Sequence, residues 1–280
     1  MRPFFIEFTM QNIKLIVTDM DGTLLRSDHS LSPEFKEIYQ ELKDNNILFV
    51  PASGRQYYSI VSYFKDFKDE LAVIAENGTY VTYKGNEVFV DNLDWNLVKE
   101  IITEVRKIEG ANIVLAGKNA AYVESTDEEF LDYFKNYYAK NSWVEDLTKI
   151  ENEQFIKIAI NHTGGTEQNV LPKVFHFEKN GLKVVVSGEV WIDIMNEGSN
   201  KGVALHSLIN KLNISAEEII VFGDFMNDLE MLNLTKNSFA MQNAHPNVKN
   251  AANFLAPSND EDGVIQIIKK YLQQLKTVNS

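Results

Sequence analysis

The sequence predicts a doubly wound parallel α/β core interrupted by an inserted α+β domain. Three observations predict it. Leu15–Val17, Ile47–Val50, Leu71–Ala75 and Ile219–Phe222 are short apolar runs without polar alternation, as in strands buried on both faces of a parallel sheet. Segments of helical character separate them, giving the rhythm of βαβ units. That rhythm stops near Tyr83, gives way to hairpin-like pairs, and returns near Ser199.

A chain of 280 residues favours two domains, and its 44% hydrophobic and 24% charged content suits an ordinary globular protein with a sizeable core. The formal charge of -13 argues against a general nucleic-acid or anionic-membrane surface, yet a small anionic substrate stays compatible with a local cation. With no cysteine there is no disulfide, thiolate nucleophile or Cys-bound zinc. The opening MRPFFIEFTM is too short and too broken by Glu7 for a signal peptide, and no later stretch is long enough to span a bilayer. These features predict a cytoplasmic protein with residues 1–12 as an extension, and Met10 offers a second plausible start.

In order, the first strand ends in Asp19-Met20-Asp21-Gly22-Thr23. Ser32-Pro33-Glu34 reads as a helix start with Ser32 as N-cap, running to about Lys43. The second strand ends in Pro51-Ala52-Ser53-Gly54-Arg55, a helix covers about Tyr57–Phe64, and the third strand ends at Glu76-Asn77-Gly78. Lys84-Gly85-Asn86 is a hairpin-type turn between Tyr80–Tyr83 and Glu87–Val90. A helix from about Asn96 to Glu109 is followed by a hairpin of Ile113–Ala116 with Ala121–Glu124. Glu128–Lys140 reads as one helix whose Phe130, Tyr133, Phe134 and Tyr137 recur at helical spacing as a core stripe rather than a base-stacking platform. Strands at Phe155–Asn161, Leu182–Val186 and Val190–Met195 and a helix near Glu167–Lys179 complete the insert.

The core then resumes. Ser199-Asn200-Lys201-Gly202 opens a helix to about Leu212, and Ser215 with Glu218 has capping-box spacing for a single turn. The strand Ile219–Phe222 ends in Gly223-Asp224, and Asn227-Asp228 begins a helix over Leu229–Leu234. A strand at Ser238–Met241, the segment Ala244–Ala252 and a helix over Val264–Leu275 close the chain. The expected organisation is a core of 13–83 and 196–280 with an insert of 84–195.

Polar groups therefore gather at four strand ends or helix starts: Asp19 with Asp21, Ser53-Gly54-Arg55, Lys201-Gly202, and Asp224 with Asn227 and Asp228. In an open α/β sheet, ligands bind beyond the carboxyl ends of the strands. A carboxylate can attack phosphorus, and a covalent aspartyl-phosphate splits one hard displacement into two easier ones. Asp19, the first acid off the strand, suits the nucleophile, and Asp21 suits the general acid and base. Two carboxylates repel a phosphate, so a cation is needed; Mg²⁺ prefers one or two carboxylates and phosphate oxygens, here from Asp19 and Asp224. Ser53 and Gly54 can bind phosphoryl oxygens, and Lys201 supplies a point charge for them. The five histidines show no ligand spacing, and Gly164-Gly165 reads as a loop.

DMDGTLL, SGR, KG at a helix start and GDFMND, in that order, resemble the four motifs of the haloacid dehalogenase superfamily. The insertion between the second and third motifs is similar to the type IIB cap of the Cof-like phosphatases, as are Asn77-Gly78 and the late run NAHPNVKNAANF with EDGV. The likeness extends from Ile13 over nearly the whole chain. The second motif departs slightly, with Ser53 where many relatives have Thr, which keeps the hydroxyl. The resemblance implies a Mg²⁺-dependent phosphatase of small phosphorylated metabolites, with Asp19 as nucleophile and Asp21 as acid and base. It also implies that Asp21 adds its backbone carbonyl to the metal and that Asn227 contacts the phosphate. Asp228 is expected to support the site from behind the ligands or through water, and Arg55 to touch substrate or pair with an acid. Phosphosugars and phosphorylated cofactors both suit the substrate, and no obligate protein partner is expected. The same phospho-Asp19 chemistry could serve a phosphomutase or phosphotransferase, or a phospho-accepting signalling domain.

Overall fold

The computed structural model describes residues 12–135 and 137–278, so most of the expected N-terminal extension, with Met10, lies outside the described residues. In chain order the regular elements begin with β1 (Leu15–Thr18), α1 (Phe35–Asp44), β2 (Leu48–Pro51), α2 (Tyr57–Ser62) and β3 (Ala72–Ala75). Then come β4 (Tyr80–Tyr83), β5 (Asn86–Val90), α3 (Trp95–Val105), β6 (Ala111–Gly117), β7 (Ala121–Val123), α4 (Glu128–Phe134) and β8 (Asn141–Trp143). The middle holds β9 (Phe155–His162), α5 (Thr166–Asn169), α6 (Leu171–Val174), β10 (Leu182–Gly188) and β11 (Trp191–Asn196). The chain closes with α7 (Lys201–Leu212), β12 (Ile219–Gly223), α8 (Leu229–Leu232), β13 (Ser238–Met241), α9 (Pro246–Ala251), β14 (Phe254–Ala256) and α10 (Gly263–Val278).

Two compact units result. The first contains the chain up to Gly54, Tyr63–Phe89 and the part from Asn200 onward; the second contains Arg55–Ser62 and Val90–Ser199. In the first unit the strand order is β14-β13-β12-β1-β2, every pair parallel. From β1 the chain steps outward to β2, and from β12 it steps outward the other way to β13 and β14. With right-handed crossovers this reversal places helices on both faces and makes the β1–β12 junction the topological switch point. β3 continues the sheet through one parallel bridge, Ala52 to Ile74, and pairs fully with β4 in an antiparallel sheet ordered β3-β4-β5. Those hydrogen bonds run across the sequence position where the core was expected to break, and keep the hairpin up to Phe89 with the first unit.

Helix α1 buries Phe35, Ile38, Tyr39 and Leu42, the i, i+3, i+4, i+7 face of an amphipathic helix. Its start departs from expectation. Glu34 occupies the N-cap position and no side chain caps the helix, because the Ser32 hydroxyl donates instead to Asp262 Oδ2 at 3.0 Å. The single turn at Ala216–Glu218 does carry its capping box from Ser215 to Glu218.

In the second unit a six-stranded sheet runs β10-β11-β9-β6-β7-β8, antiparallel except for β7 with β8. Val98, Ile101, Ile102 and Val105 of α3 and Val174 of α6 join Ile113, Ile158, Ile160, Ile192 and Ile194 in one core. The single helix expected over 167–179 is three pieces, α5, α6 and a 3-10 turn at Phe175–Asn180. Pro172, with no N–H and a ring that crowds the preceding turn, sits at the start of α6 and explains the break. Helix α4 stops at Phe134, well short of Lys140, and β8 follows where no strand was expected. Of its aromatic stripe, Phe130 and Phe134 are buried, whereas Tyr133 and Tyr137 are exposed and lean on Trp191. Helix α2 belongs here because the Gln56 side chain closes a two-way pair with the Lys140 backbone, Nε2 to O at 2.8 Å and N to Oε1 at 3.0 Å.

Phe35 meets Phe49, Phe64 and Phe67 at ring separations of 5.0, 5.4 and 6.0 Å and is 2% exposed. Phe35→Ala is expected to cost about 3–5 kcal/mol of stability, as buried aromatic truncations do, read as a lower midpoint in urea unfolding.

Candidate active site

The switch point brings the acids together. Asp19 follows β1 directly, and its N–H extends the ladder to Phe222 O on β12 at 3.1 Å. Asp224 follows β12, so two neighbouring strands end in carboxylates at the same edge. Gly22 has φ of 76°, which favours glycine, and a Cβ there would lie 2.5 Å from Asp224 Oδ2. The turn can close on Asp224 only without a side chain at that position. Thr23 then donates its hydroxyl to Asp224 Oδ1 at 2.7 Å.

Lys201 opens α7 behind the Asn200 N-cap, whose side chain accepts from Val203 N at 2.8 Å. The ammonium is fully buried and donates to Asp19 Oδ1 at 2.5 Å and Asp228 Oδ1 at 2.7 Å. Asp228 is itself fully buried, and its Oδ2 accepts from the backbone N–H of Asp224 at 2.9 Å and of Phe225 at 3.1 Å. It therefore braces both Lys201 and the loop that carries Asp224.

Asn227 Nδ2 donates to Asn77 Oδ1 at 3.0 Å, and a Cβ on Gly54 would lie 3.0 Å from the same Asn77 amide. Asn77 thus links the ends of β2, β3 and β12. Ser53 is buried, with its N–H bonded to Ile74 O at 2.9 Å. The half-exposed side chain of Asp21 lies 3.3 Å from His29 Nδ1, and Asp21 is not one of the three clustered acids. Arg55 falls in the second unit. In the sequence Asn77 stands in a family motif without a role, and the Thr23 hydroxyl carries no role either. The signal for Asn77 was its position one residue beyond an acid at a strand end.

Asp19, Asp224 and Asp228 each offer an oxygen, all within 4.8 Å of one another. Three acids face one lysine, so two negative charges are in excess where water is scarce. Burial raises the Asp19 pKa well above the ordinary carboxylate value, Asp228 and Asp224 add to the rise, and Lys201 opposes it. Burial likewise lifts Asp224 to about 6, against the Thr23 hydrogen bond. For Lys201 burial alone would lower the pKa, but Asp19 and Asp228 outweigh it and keep the group charged. Oxygen-only donors with surplus negative charge fit a hard divalent cation. Asp19 and Asp224 are the better placed pair, since Asp228 already serves Lys201 and two backbone amides.

The family model of the haloacid dehalogenase-like hydrolases matches residues 16–268. The chain belongs to that family. As a haloacid dehalogenase-like hydrolase it is similar to the 5-amino-6-(5-phospho-D-ribitylamino)uracil phosphatase YbjI of Escherichia coli, at 34% identity over 94% of this chain and 97% of the relative. The Bacillus subtilis enzyme YitU, of the same name, is 28% identical over 92% of this chain and 97% of its own length. Among solved structures, SMU.1108c of Streptococcus mutans has a TM-score of 0.81 at 32% identity, covering 94% of this chain and all of the other. This haloacid dehalogenase-like hydrolase is accordingly a phosphatase. Among its described residues no helix is long and apolar enough to cross a membrane.

The Asp224 shift makes stability depend on pH. Its folded-state value of about 6 lies above the unfolded value near 3.8, so between those pH values the folded chain binds more protons and stability falls as pH rises. Without divalent cations, wild type is expected to lose on the order of 2–3 kcal/mol between about pH 4 and pH 7 from this group. Asp224→Asn should flatten that loss in urea unfolding with chelator present.

Proposed function

We propose that the chain is a Mg²⁺-dependent phosphomonoesterase acting in the cytoplasm on a small phosphorylated metabolite, with Asp19 as its nucleophile. The observation that carries this reading is the Asp19 carboxylate held by the buried Lys201, with Asp224 and Asp228 beside it. Asp19 attacks through a carboxylate oxygen: an O–P bond forms, the ester P–O bond breaks, and the leaving oxygen takes a proton from Asp21. In the second step Asp21 accepts a proton from water as the water oxygen bonds to phosphorus. The acyl-phosphate P–O bond breaks, phosphate leaves and Asp19 is restored. Asp21 is half-exposed, which suits a group that must exchange its proton in every cycle.

Lys201 keeps the Asp19 oxygen oriented and offsets charge on the phosphoryl oxygens. Ser53, the Gly54 N–H and Asn227 would bind those oxygens, a role supported by the link from Asn227 through Asn77 towards Gly54. Asp19, Asp224 and the Asp21 carbonyl would hold Mg²⁺, with Asp228 behind them; bound there, the ion would screen the acids and polarise the phosphoryl group. For the substrate we propose a phosphate ester of a polyol chain bearing a heteroaromatic ring. The compound named for the Escherichia coli and Bacillus subtilis relatives is its first candidate.

Phosphate release from a panel of such esters, with Mg²⁺ and with chelator, tests the roles. Asp19→Asn is expected to release none above background, and Asp21→Asn to fall about 10²–10⁴-fold with an alkyl ester, the range of a lost general acid. Turnover by Asp19→Asn at the wild-type rate would remove Asp19 from the reaction.

A further inference from the structure

The turn that follows the nucleophile is held from outside by a segment none of the catalytic motifs includes. Within the turn, Leu24 N donates to Asp19 O at 3.3 Å, and Thr23 N and Leu25 N donate to Met20 O at 3.3 and 2.8 Å. The outward carbonyls of Gly22 and Leu25 are taken by two asparagines from the far end of the chain. Asn243 Nδ2 donates to Gly22 O at 2.7 Å, and Asn259 Nδ2 donates to Leu25 O at 3.0 Å. The two are joined, because Asn259 N donates to Asn243 Oδ1 at 3.1 Å. Beyond the turn, Arg26 is gripped by Asp262 through Nε at 3.0 Å and Nη2 at 2.6 Å.

We infer that Asn243 and Asn259 form a positioning relay that sets the Gly22–Thr23 peptide plane and, through it, the aim of Asp21 and of the Thr23 hydroxyl. That plane is fixed at both edges, Gly22 O by Asn243 and Thr23 N–H by Met20 O. Asp21 directly precedes it, and Thr23 carries the hydroxyl bonded to Asp224. Gly22 has no side chain to resist rotation of the plane, so the restraint must come from elsewhere. Asn243 is exposed, which separates it from a core residue retained for packing, whereas Asn259 is 5% exposed and anchors the relay. Without the Asn243 donor the plane tilts, and a displacement of roughly 1 Å near a reacting centre can cost about 10²-fold in rate.

This inference rests on the proposed roles of Asp19 and Asp21. The experiment measures phosphate release by the full chain against substrate and against Mg²⁺, with thermal unfolding in parallel. Asn243→Ala is expected to lower kcat about 10–100-fold, leave KM within about twofold, raise the Mg²⁺ concentration for half-maximal rate, and move the unfolding midpoint by no more than about 4 °C. Asn243→Asp keeps the acceptor for Asn259 N but loses the donor to Gly22 O, so it should lose as much rate as Asn243→Ala. The double variant with Asn259→Ala should be no worse than its poorer single variant, since both act through one turn. If Asn259→Ala does not fold, the two Asn243 variants decide. Unchanged kcat in Asn243→Ala, or full activity in Asn243→Asp, overturns the relay. A wild type that releases no phosphate from any ester instead removes the catalytic roles, and the relay with them.

Discussion

A buried ammonium between two buried carboxylates is the constraint around which the first unit is arranged. Lys201 is fully buried and touches Asp19 and Asp228 at 2.5 and 2.7 Å, and each of those acids lies at the end of a different stretch of chain. Taking such charges out of water is costly, and removing one partner of a buried pair typically costs about 3–5 kcal/mol because the other is left uncompensated. The arrangement therefore requires α7 to begin where β1 and β12 end. Gly202 permits this: a Cβ there would lie 2.6 Å from the Glu230 Cβ, so α7 can pack close to α8. The strand order supplies the rest, since only adjacent strands leaving the switch point can end in Asp19 and Asp224 side by side.

Lys201 compensates only part of the acid charge it meets. The surplus explains why burial and mutual repulsion lift Asp19 and Asp224, and why oxygen donors there suit a divalent cation. Asp228 adds a second economy: one oxygen holds Lys201 while the other gathers two backbone amides of the Asp224 loop. Asp228 is also the last residue of the turn Met226–Asp228, so the oxygen that accepts from the Asp224 and Phe225 amides caps that turn while the other holds Lys201.

Much of this was legible because strand ends in a parallel sheet are marked by abrupt changes from apolar to polar residues. Leu15–Val17 and Ile219–Phe222 lead directly to Asp19 and Asp224, and Ser199-Asn200-Lys201-Gly202 reads as a helix start. Long-range side-chain contacts were not legible. Ser32 has the composition of an N-cap, yet its hydroxyl serves Asp262, 230 residues away. The helix expected over 167–179 failed on a local signal that periodicity overrode, Pro172. Helix α4 failed on a tertiary one: Lys140 is drawn into backbone bonds with Gln56 before the helix can reach it. Asn77 escaped as a site residue because its role lies in a bond to Asn227 150 positions on.

If Asp19 carries the phosphoryl group, the adduct can be trapped on it. Asp21→Asn can be mixed with p-nitrophenyl phosphate and Mg²⁺, quenched in acid within one turnover, and its peptides analysed by mass. The leaving group of that ester needs no proton, so transfer to Asp19 should proceed while hydrolysis stalls. A phosphoryl adduct is expected on the peptide containing Asp19, and Asp19→Asn should fail to form it. An adduct at another residue, or steady phosphate release with no adduct at all, would remove Asp19 from the nucleophile's role.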